Sequence, residues 1–547
     1  MLFPTFDFLL FALPVLAGFW ALSNRPWARV VFLLVASYFF YAAGPKTTPP
    51  PAPAYFAGLL IFSTCLDYVC GSAIYRHHEG FKSKDPAIKA AASRKRNVWL
   101  YLSLAGNLGL LAYFKYANFF LSGFADVFGL FGVDIEVIHL DVILPLGISF
   151  YTFQSLSYTI DVWRGRLVPE TSFTRFALFV AFFPQLVAGP IVRAKEFLPQ
   201  LQRGPRFTRD GLEEGAFRIL KGLAKKVVLG DFIAVALTDR IFDAPDTFTS
   251  PELLIALYAY TLQIYADFSG YSDIAIGLGK MLGFTLPENF NRPYQSKDIA
   301  EYWRRWHMTL SAWLRDYLFF QILSRLGSKG GYYALWITMF LVGMWHGASW
   351  NFVIYANIHA GAVVFNRWNR MRDRKLTVMG IVGWPVATVA LSVAVAAFGR
   401  YVLELDWQQG SILGGGVGVL FLVIAWLPMP KGKALVAVHV LLTFHLVVLS
   451  RIFFRAPDFE TARRFINALL TFDTWGVRPG LGSTGVWVAL VLGLAYHFTP
   501  VRWVDVHLKG LFRKTPGVLI GLAASGLFYG LMRLMDGSPR AFIYFQF

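Results

Sequence analysis

Charge is scarce in this chain. Of 547 residues, 15% are Asp, Glu, Lys or Arg, where a soluble domain carries roughly 25%. That deficit excludes an ordinary soluble enzyme. Cysteine is nearly missing too: Cys65 and Cys70 lie five apart in one apolar run. Such spacing puts them on different helix faces and argues against an intramolecular disulfide. No Cys/His set has metal-ligand spacing, so no metal site is expected. The chain lacks a GxSxG elbow and a P-loop signature, which argues against an enclosed serine hydrolase or an NTPase. Paired repeats are also lacking. A transporter or polymer flippase built from two related halves is therefore the weaker reading, although broken helices and midplane polar residues would suit one.

What fills the space is apolar: 56% of the residues are hydrophobic. A membrane span needs about 20 mostly apolar residues, and such runs recur from 2–22 to 518–532. They are continuous rather than alternating, which excludes a β-barrel. The expected fold is all-α, a polytopic integral membrane protein with about 11–13 transmembrane or re-entrant helices. Residues 1–547 read as a single membrane domain, with N-terminal helices over 1–163, a core over 173–370 and C-terminal helices over 378–547. The first run lacks a basic leader and a clear cleavage site, so it reads as a retained span.

The net charge of +18 follows the loops, so it reports orientation rather than nucleic-acid binding. Residues 76–97 hold seven Lys/Arg and mark a cytoplasmic loop. Counting back three spans puts the N-terminus outside. Counting forward puts WRGR, 163–166, inside again.

Two apolar segments break the alternation. Residues 173–197 have basic flanks on both sides and are interrupted by Pro184, Gly189 and Pro190, which suits a segment that dips in and returns. Residues 332–365 also lie between basic flanks. As one helix they would run to about 50 Å, well beyond the hydrocarbon core. They form either a tilted or broken helix, or two short spans with a turn. Near the middle, in LVGMWHGASWNF, sits His346. An ionisable ring at membrane depth is costly and usually faces a cavity. The plainer alternative is a packed ring bonded to a carbonyl, and His359, His439, His445 and His497 are read that way.

Upstream, YADFSGYSDIAIG carries Asp267, Ser269 and Asp273, and PENFNRPY is a turn-rich connector. EYWRRWHMTLSAWLRDYLF follows, with Trp303, Trp306, Leu310, Trp313 and Tyr317 at helical spacing and Arg304, Arg305 and Arg315 between them. That pattern suits an amphipathic helix lying at headgroup level, which accounts for the tryptophans and arginines but does not require His307. Histidine suits a general base near neutral pH, and acyl transfer to a hydroxyl needs one.

The WRRWHMTLSAWLRDYLF and GMWHGASWNF stretches resemble the membrane-bound O-acyltransferase family. PLGISFYTFQSLSYTIDVWRG, FFPQLVAGPIVR, DFSGYSDIAIG, NFNRPY, RIFFRAPDFETA and the terminal FIYFQF extend the resemblance to the bacterial branch that modifies exported polymers. It implies helices around a central tunnel in the bacterial cytoplasmic (inner) membrane, with the family's histidine on His346 and its second polar site on His307. It implies no bound cofactor. The donor would be acetyl-CoA or another acyl thioester, the acceptor an exported polysaccharide such as alginate, and the partner a periplasmic or extracellular acetyltransferase. Contacts with membrane lipid are expected, and none with nucleic acid. Trp345, Asn351, Trp303, Trp306, Asp267, Ser269 and Asp273 are then tunnel-lining candidates. Arg292, Arg304, Arg305, Lys221, Lys225 and Lys226 could meet donor phosphates, or serve only orientation and headgroup contact. D-Alanylation of teichoic acid, peptidoglycan acetylation and a non-catalytic scaffold remain open alternatives.

Overall fold

The computed structural model describes residues 3, 5–44, 56–129, 131–327, 330–371, 384–426, 432–472 and 476–534. The terminal FIYFQF, most of the proline-rich first outer linker and the basic RDRK after position 371 lie outside the described residues. Every regular element among the described residues is helical, as the apolar runs require. Helix starts follow local chemistry. Thr249 and Glu252 form a reciprocal capping box at the head of the 32-residue helix Ser250–Met281, and Asp85 caps the helix Pro86–Leu111, with Pro86 in its first turn.

Among the described residues, two helices are long and apolar enough to cross a membrane by length and composition, Phe56–Arg76 and Lys433–Arg455. Six shorter apolar helices accompany them, among them Phe6–Ala21, Pro26–Ala42 and Thr484–Phe498. That is fewer clean spans than the runs suggest, because several runs are cut into short helices inside the bundle.

The 173–197 segment is one of these. The helix Phe173–Ala181 stops at Phe182, a single turn Phe183–Leu186 follows, and helix resumes at Ala194–Arg203. Residues 176–192 are all buried. Irregular backbone survives there only if its polar groups are met. Ser37 Oγ accepts the Phe183 amide at 3.2 Å and Thr309 Oγ1 accepts the Ile191 amide at 3.0 Å. The side-chain amides of Gln154 and Gln185 both donate to the Phe179 carbonyl.

The 332–365 segment is two helices with a turn, Gly331–His346 and Trp350–Met371. They pack back on each other where Gly343 meets Ala356: a Cβ on Gly343 would lie 2.4 Å from the Ala356 methyl.

The expected headgroup helix over 301–320 is not one helix and does not lie on the surface. The helix Ile299–Arg305 ends, His307 takes φ +42°, and Met308–Leu314 follows, running into a π-helical turn at Arg315–Phe319. Trp303, Trp306, Trp313 and Tyr317 are buried. Their helical spacing marks an apolar face, but that face meets protein rather than lipid headgroups.

A glycine seam sets the other wall of the core. Helices Arg209–Ala224 and Ser250–Met281 touch backbone to backbone. A Cβ on Gly222 would lie 2.6 Å from the Gly270 carbonyl oxygen, and one on Gly277 2.7 Å from that of Gly215. Small residues permit this approach between membrane helices. It brings the cations of one helix against Asp273 of the other.

Candidate active site

His307 and His346, thirty-nine residues apart, meet across one ring. The Trp345 indole lies 5.3 Å from the His307 imidazole and 5.1 Å from that of His346, centroid to centroid. Both histidines are buried. His307 also packs against Phe268 at 4.8 Å and Phe150 at 6.0 Å, while Phe454 and Tyr355 back His346. Neither ring nitrogen of His307 has a hydrogen-bond partner among the described residues.

The backbone of His307 is strained: φ is +42°, in the left-handed region that non-glycine residues seldom adopt. Arg292 shares this, at +46°. Their segments run side by side. The Asn291 amide donates to the Arg305 carbonyl and the Met308 amide to that of Asn289, both at 2.9 Å. Asn289 Oδ1 also accepts from Thr309 Oγ1 at 2.9 Å. This pairing holds His307 between its two short helices.

His346 ends its helix, so the last carbonyls of that helix lack helical partners. Lys115 Nζ donates to the Trp345 and His346 carbonyls at 2.5 and 3.1 Å, and Tyr116 OH to that of Met344 at 2.8 Å. Sequence reasoning missed both. The signal for Lys115 was a lone cation in an otherwise apolar run.

Two cavities reach residues of this layer or their chain neighbours. A small one is lined by Lys115, Leu144–Phe150, Val187, Trp345 and His346. A larger one is lined by Arg218, Lys221, Lys225, Arg292, Ser269, Asp273, Glu288, Tyr496 and Met308, the neighbour of His307. Its cations share carboxylates. Asp273 accepts from Arg218 and from Lys225 at 2.8 Å each, with Lys221 at 3.5 Å. Arg218 is a third residue the sequence did not single out.

Other predicted residues sit elsewhere. Asp267 pairs with Lys226, which also bonds Asp231 at 2.9 Å; neither Asp267 nor Lys226 lines either cavity. Arg304 is exposed, and Arg305 bonds Glu301 at 2.7 Å outside the basic cavity. The Asn351 amide donates to the Ala456 and Asp458 carbonyls, tying the turn after His346 to the end of helix Lys433–Arg455. Trp303 packs on His359, and Trp306 lies beneath the buried Arg451 guanidinium. Neither tryptophan lines either cavity. His359, read as a packed ring, bonds Ser450 Oγ at 3.0 Å, and His497 accepts the Tyr294 amide at 3.2 Å.

The profile of the membrane-bound O-acyltransferase family matches residues 167–395, a span that contains both histidines. The chain is 37% identical over 444 residues to a probable alginate O-acetylase of Pseudomonas putida, covering 78% of this chain and 86% of that protein. It is 36% identical over 476 residues to a probable alginate O-acetylase of Pseudomonas aeruginosa, covering 87% and 76%. A peptidoglycan O-acetyltransferase of Helicobacter pylori is 35% identical over 353 residues, covering 59% and 65%. With identity of this level over most of both chains, the protein belongs to the membrane-bound O-acyltransferase family: it is a polytopic, all-α acyltransferase of the membrane.

Proposed function

We propose that the enzyme takes an acetyl group from a cytoplasmic thioester, acetyl-CoA or a related donor, and passes it across the bacterial inner membrane for O-acetylation of an exported polysaccharide such as alginate. One observation carries the reading: two buried histidines converge on Trp345, with His346 and Trp345 lining the smaller cavity and Met308, next to His307 in the chain, lining the basic one. The coverage of the alginate O-acetylases, at 86% and 76% of their lengths, favours that acceptor class over peptidoglycan.

The cavities suit opposite faces. The basic WRGR end of helix Ile148–Trp163 belongs to the cytoplasm by its charge, so the small cavity at the other end, around Pro145 and Gly147, belongs outside. Helix Arg209–Ala224 emerges from the basic stretch 193–209 and supplies Arg218 and Lys221 to the large cavity. That cavity would take the donor, with Arg218, Lys221, Lys225 and Arg292 meeting its phosphates. The N-terminus then lies outside.

In the transfer, His346 removes the proton of the acceptor hydroxyl. The oxygen attacks the thioester carbonyl, the C–O bond forms, the C–S bond breaks, and the thiolate leaves and takes up a proton. His307 orients the donor carbonyl. The acceptor hydroxyl belongs to the polysaccharide or to an extracytoplasmic acetyltransferase that completes delivery. Ester-linked acetate on the exported polymer, measured in cells lacking this protein and complemented with wild type, His346→Ala or His307→Ala at matched membrane levels, tests the scheme. Acetate should return with wild type alone. Normal acetate with His346→Ala would remove that residue from the chemistry and favour a scaffold role.

A further inference from the structure

Given the two-histidine transfer proposed above, on which this reading rests, we infer that Arg451 is a positioning residue for it: the guanidinium fixes where the supports of His307 and His346 stand relative to each other. Arg451 opens the RIFFRAPDFETA stretch and lies near the end of helix Lys433–Arg455. It is fully buried.

Its contacts join the two histidines. The guanidinium carbon lies 4.8 Å from the ring centroid of Trp306 and 5.0 Å from that of Phe454. Trp306 is the residue before His307, and its amide donates to the Tyr302 carbonyl at 2.8 Å, closing the helix that leads to that histidine. Arg451 Nη2 donates to Tyr302 OH at 2.8 Å, and the Tyr302 ring stacks on Trp306. On the other side, Phe454 packs on His346 at 5.3 Å and on Tyr355 at 5.2 Å, and Tyr355 itself packs on His346. The hydroxyls of Tyr294 and Tyr355 face the same guanidinium. One planar group therefore meets Trp306 and Tyr302 on the His307 side and Phe454 and Tyr355 on the His346 side.

Packing alone does not call for arginine there. A cation deep in a membrane protein is costly, and an apolar chain of similar length would fill the space without that cost. No carboxylate pairs with Arg451 among the described residues; Asp239 pairs with Arg455 at 3.0 Å. What a guanidinium adds is a rigid plane that stacks on aromatic faces and a fork that bonds hydroxyls at fixed angles. Lysine, a point charge on a flexible stem, does not do both. Arg451 lines neither the basic cavity nor the small one, so it acts on the reaction through the rings and not by touching the donor.

The test uses membranes of cells that carry the complete polymer-export system, with labelled acetyl-CoA as donor and ester-linked acetate on the polymer as readout, at matched amounts of folded protein. Arg451→Lys and Arg451→Met should each lower kcat about 100-fold, the cost of roughly 1 Å of misplacement at the reacting groups, with the KM for acetyl-CoA unchanged. Arg451→Met, which removes an unpaired buried charge, should unfold on heating no earlier than wild type. Phe454→Leu loosens one of the same supports, so the double variant Arg451→Lys/Phe454→Leu should lose far less than the product of the two single losses. Wild-type kcat in Arg451→Lys, a raised KM with kcat unchanged, earlier unfolding of both Arg451 variants, or single losses that multiply in the double variant would overturn the proposal while His346→Ala stays inactive in the same membranes. Transfer that survives His346→Ala would instead remove the two-histidine reading, and the role of Arg451 with it.

Discussion

Lys115→Met tests how His346 is held. Methionine keeps the unbranched apolar stem and removes the amine that serves the Trp345 and His346 carbonyls. Leaving one buried carbonyl unmet costs roughly 1–3 kcal/mol, so two cost about 2–6 kcal/mol. The small cavity lined by Lys115 gives water a route to these groups, which brings the expected loss to the lower end, about 2 kcal/mol. Activity should suffer far more. The ring of His346 follows its own backbone, and a misplacement of about 1 Å costs on the order of 100-fold in rate. The assay pairs heat unfolding of the purified protein with acetyl transfer from a labelled thioester. A modest drop in unfolding temperature with a near-hundredfold loss of transfer is expected, and Lys115→Arg, which keeps donors in reach, should recover part of it. Wild-type transfer in Lys115→Met, or a loss no larger than the loss of folded protein, would refute the reasoning.

Three further outcomes follow from the packing. Gly343→Val should separate the helices Gly331–His346 and Trp350–Met371, since even a Cβ there would meet Ala356 at 2.4 Å; overpacking of about 1–3 kcal/mol should appear in heat unfolding, and unchanged stability would contradict the close approach. Asp273→Asn leaves Arg218, Lys221 and Lys225 without their shared carboxylate, and breaking a buried pair costs roughly 3–5 kcal/mol; unfolding at wild-type temperature would show that the cations find another anion. Glu170 lies in the loop before helix Phe173–Ala181; burial raises its carboxyl pKa, but bonds from Arg175, the Ser172 amide and Gln202 outweigh this and hold it below the ordinary glutamate value. A lowered folded value means its stabilisation is complete above the ordinary value and fades as pH falls through the lowered one, so Glu170→Gln should unfold earlier than wild type at neutral pH, with the gap closing in acid.

What the sequence carries legibly is whatever a residue's neighbours along the chain decide. Apolar runs and basic loops yield an all-α membrane protein. Pro184, Gly189 and Pro190 in one run, and Gly347 in another, mark backbone that does not continue as helix, and both runs are broken there. The 301–320 stretch misleads because tryptophans at helical spacing look the same whether they face headgroups or protein. Nothing local in WRRWHMT signals a break. It comes from Asn289 and Asn291, whose backbone bonds to Met308 and Arg305 pin the chain on either side of His307. For the same reason Arg218 and Lys115 went unseen: their partners, Asp273 and the Trp345 carbonyl, stand 55 and 230 positions away. The cost of the left-handed backbone at His307, of order 1–3 kcal/mol, is borne by that paired turn rather than by the histidine's own helices. The two strained residues, Arg292 and His307, therefore stand or fall together. A change in PENFNRPY that loosens Asn289 should displace His307, even though the asparagine's side-chain bonds go to Thr309 and Ser272.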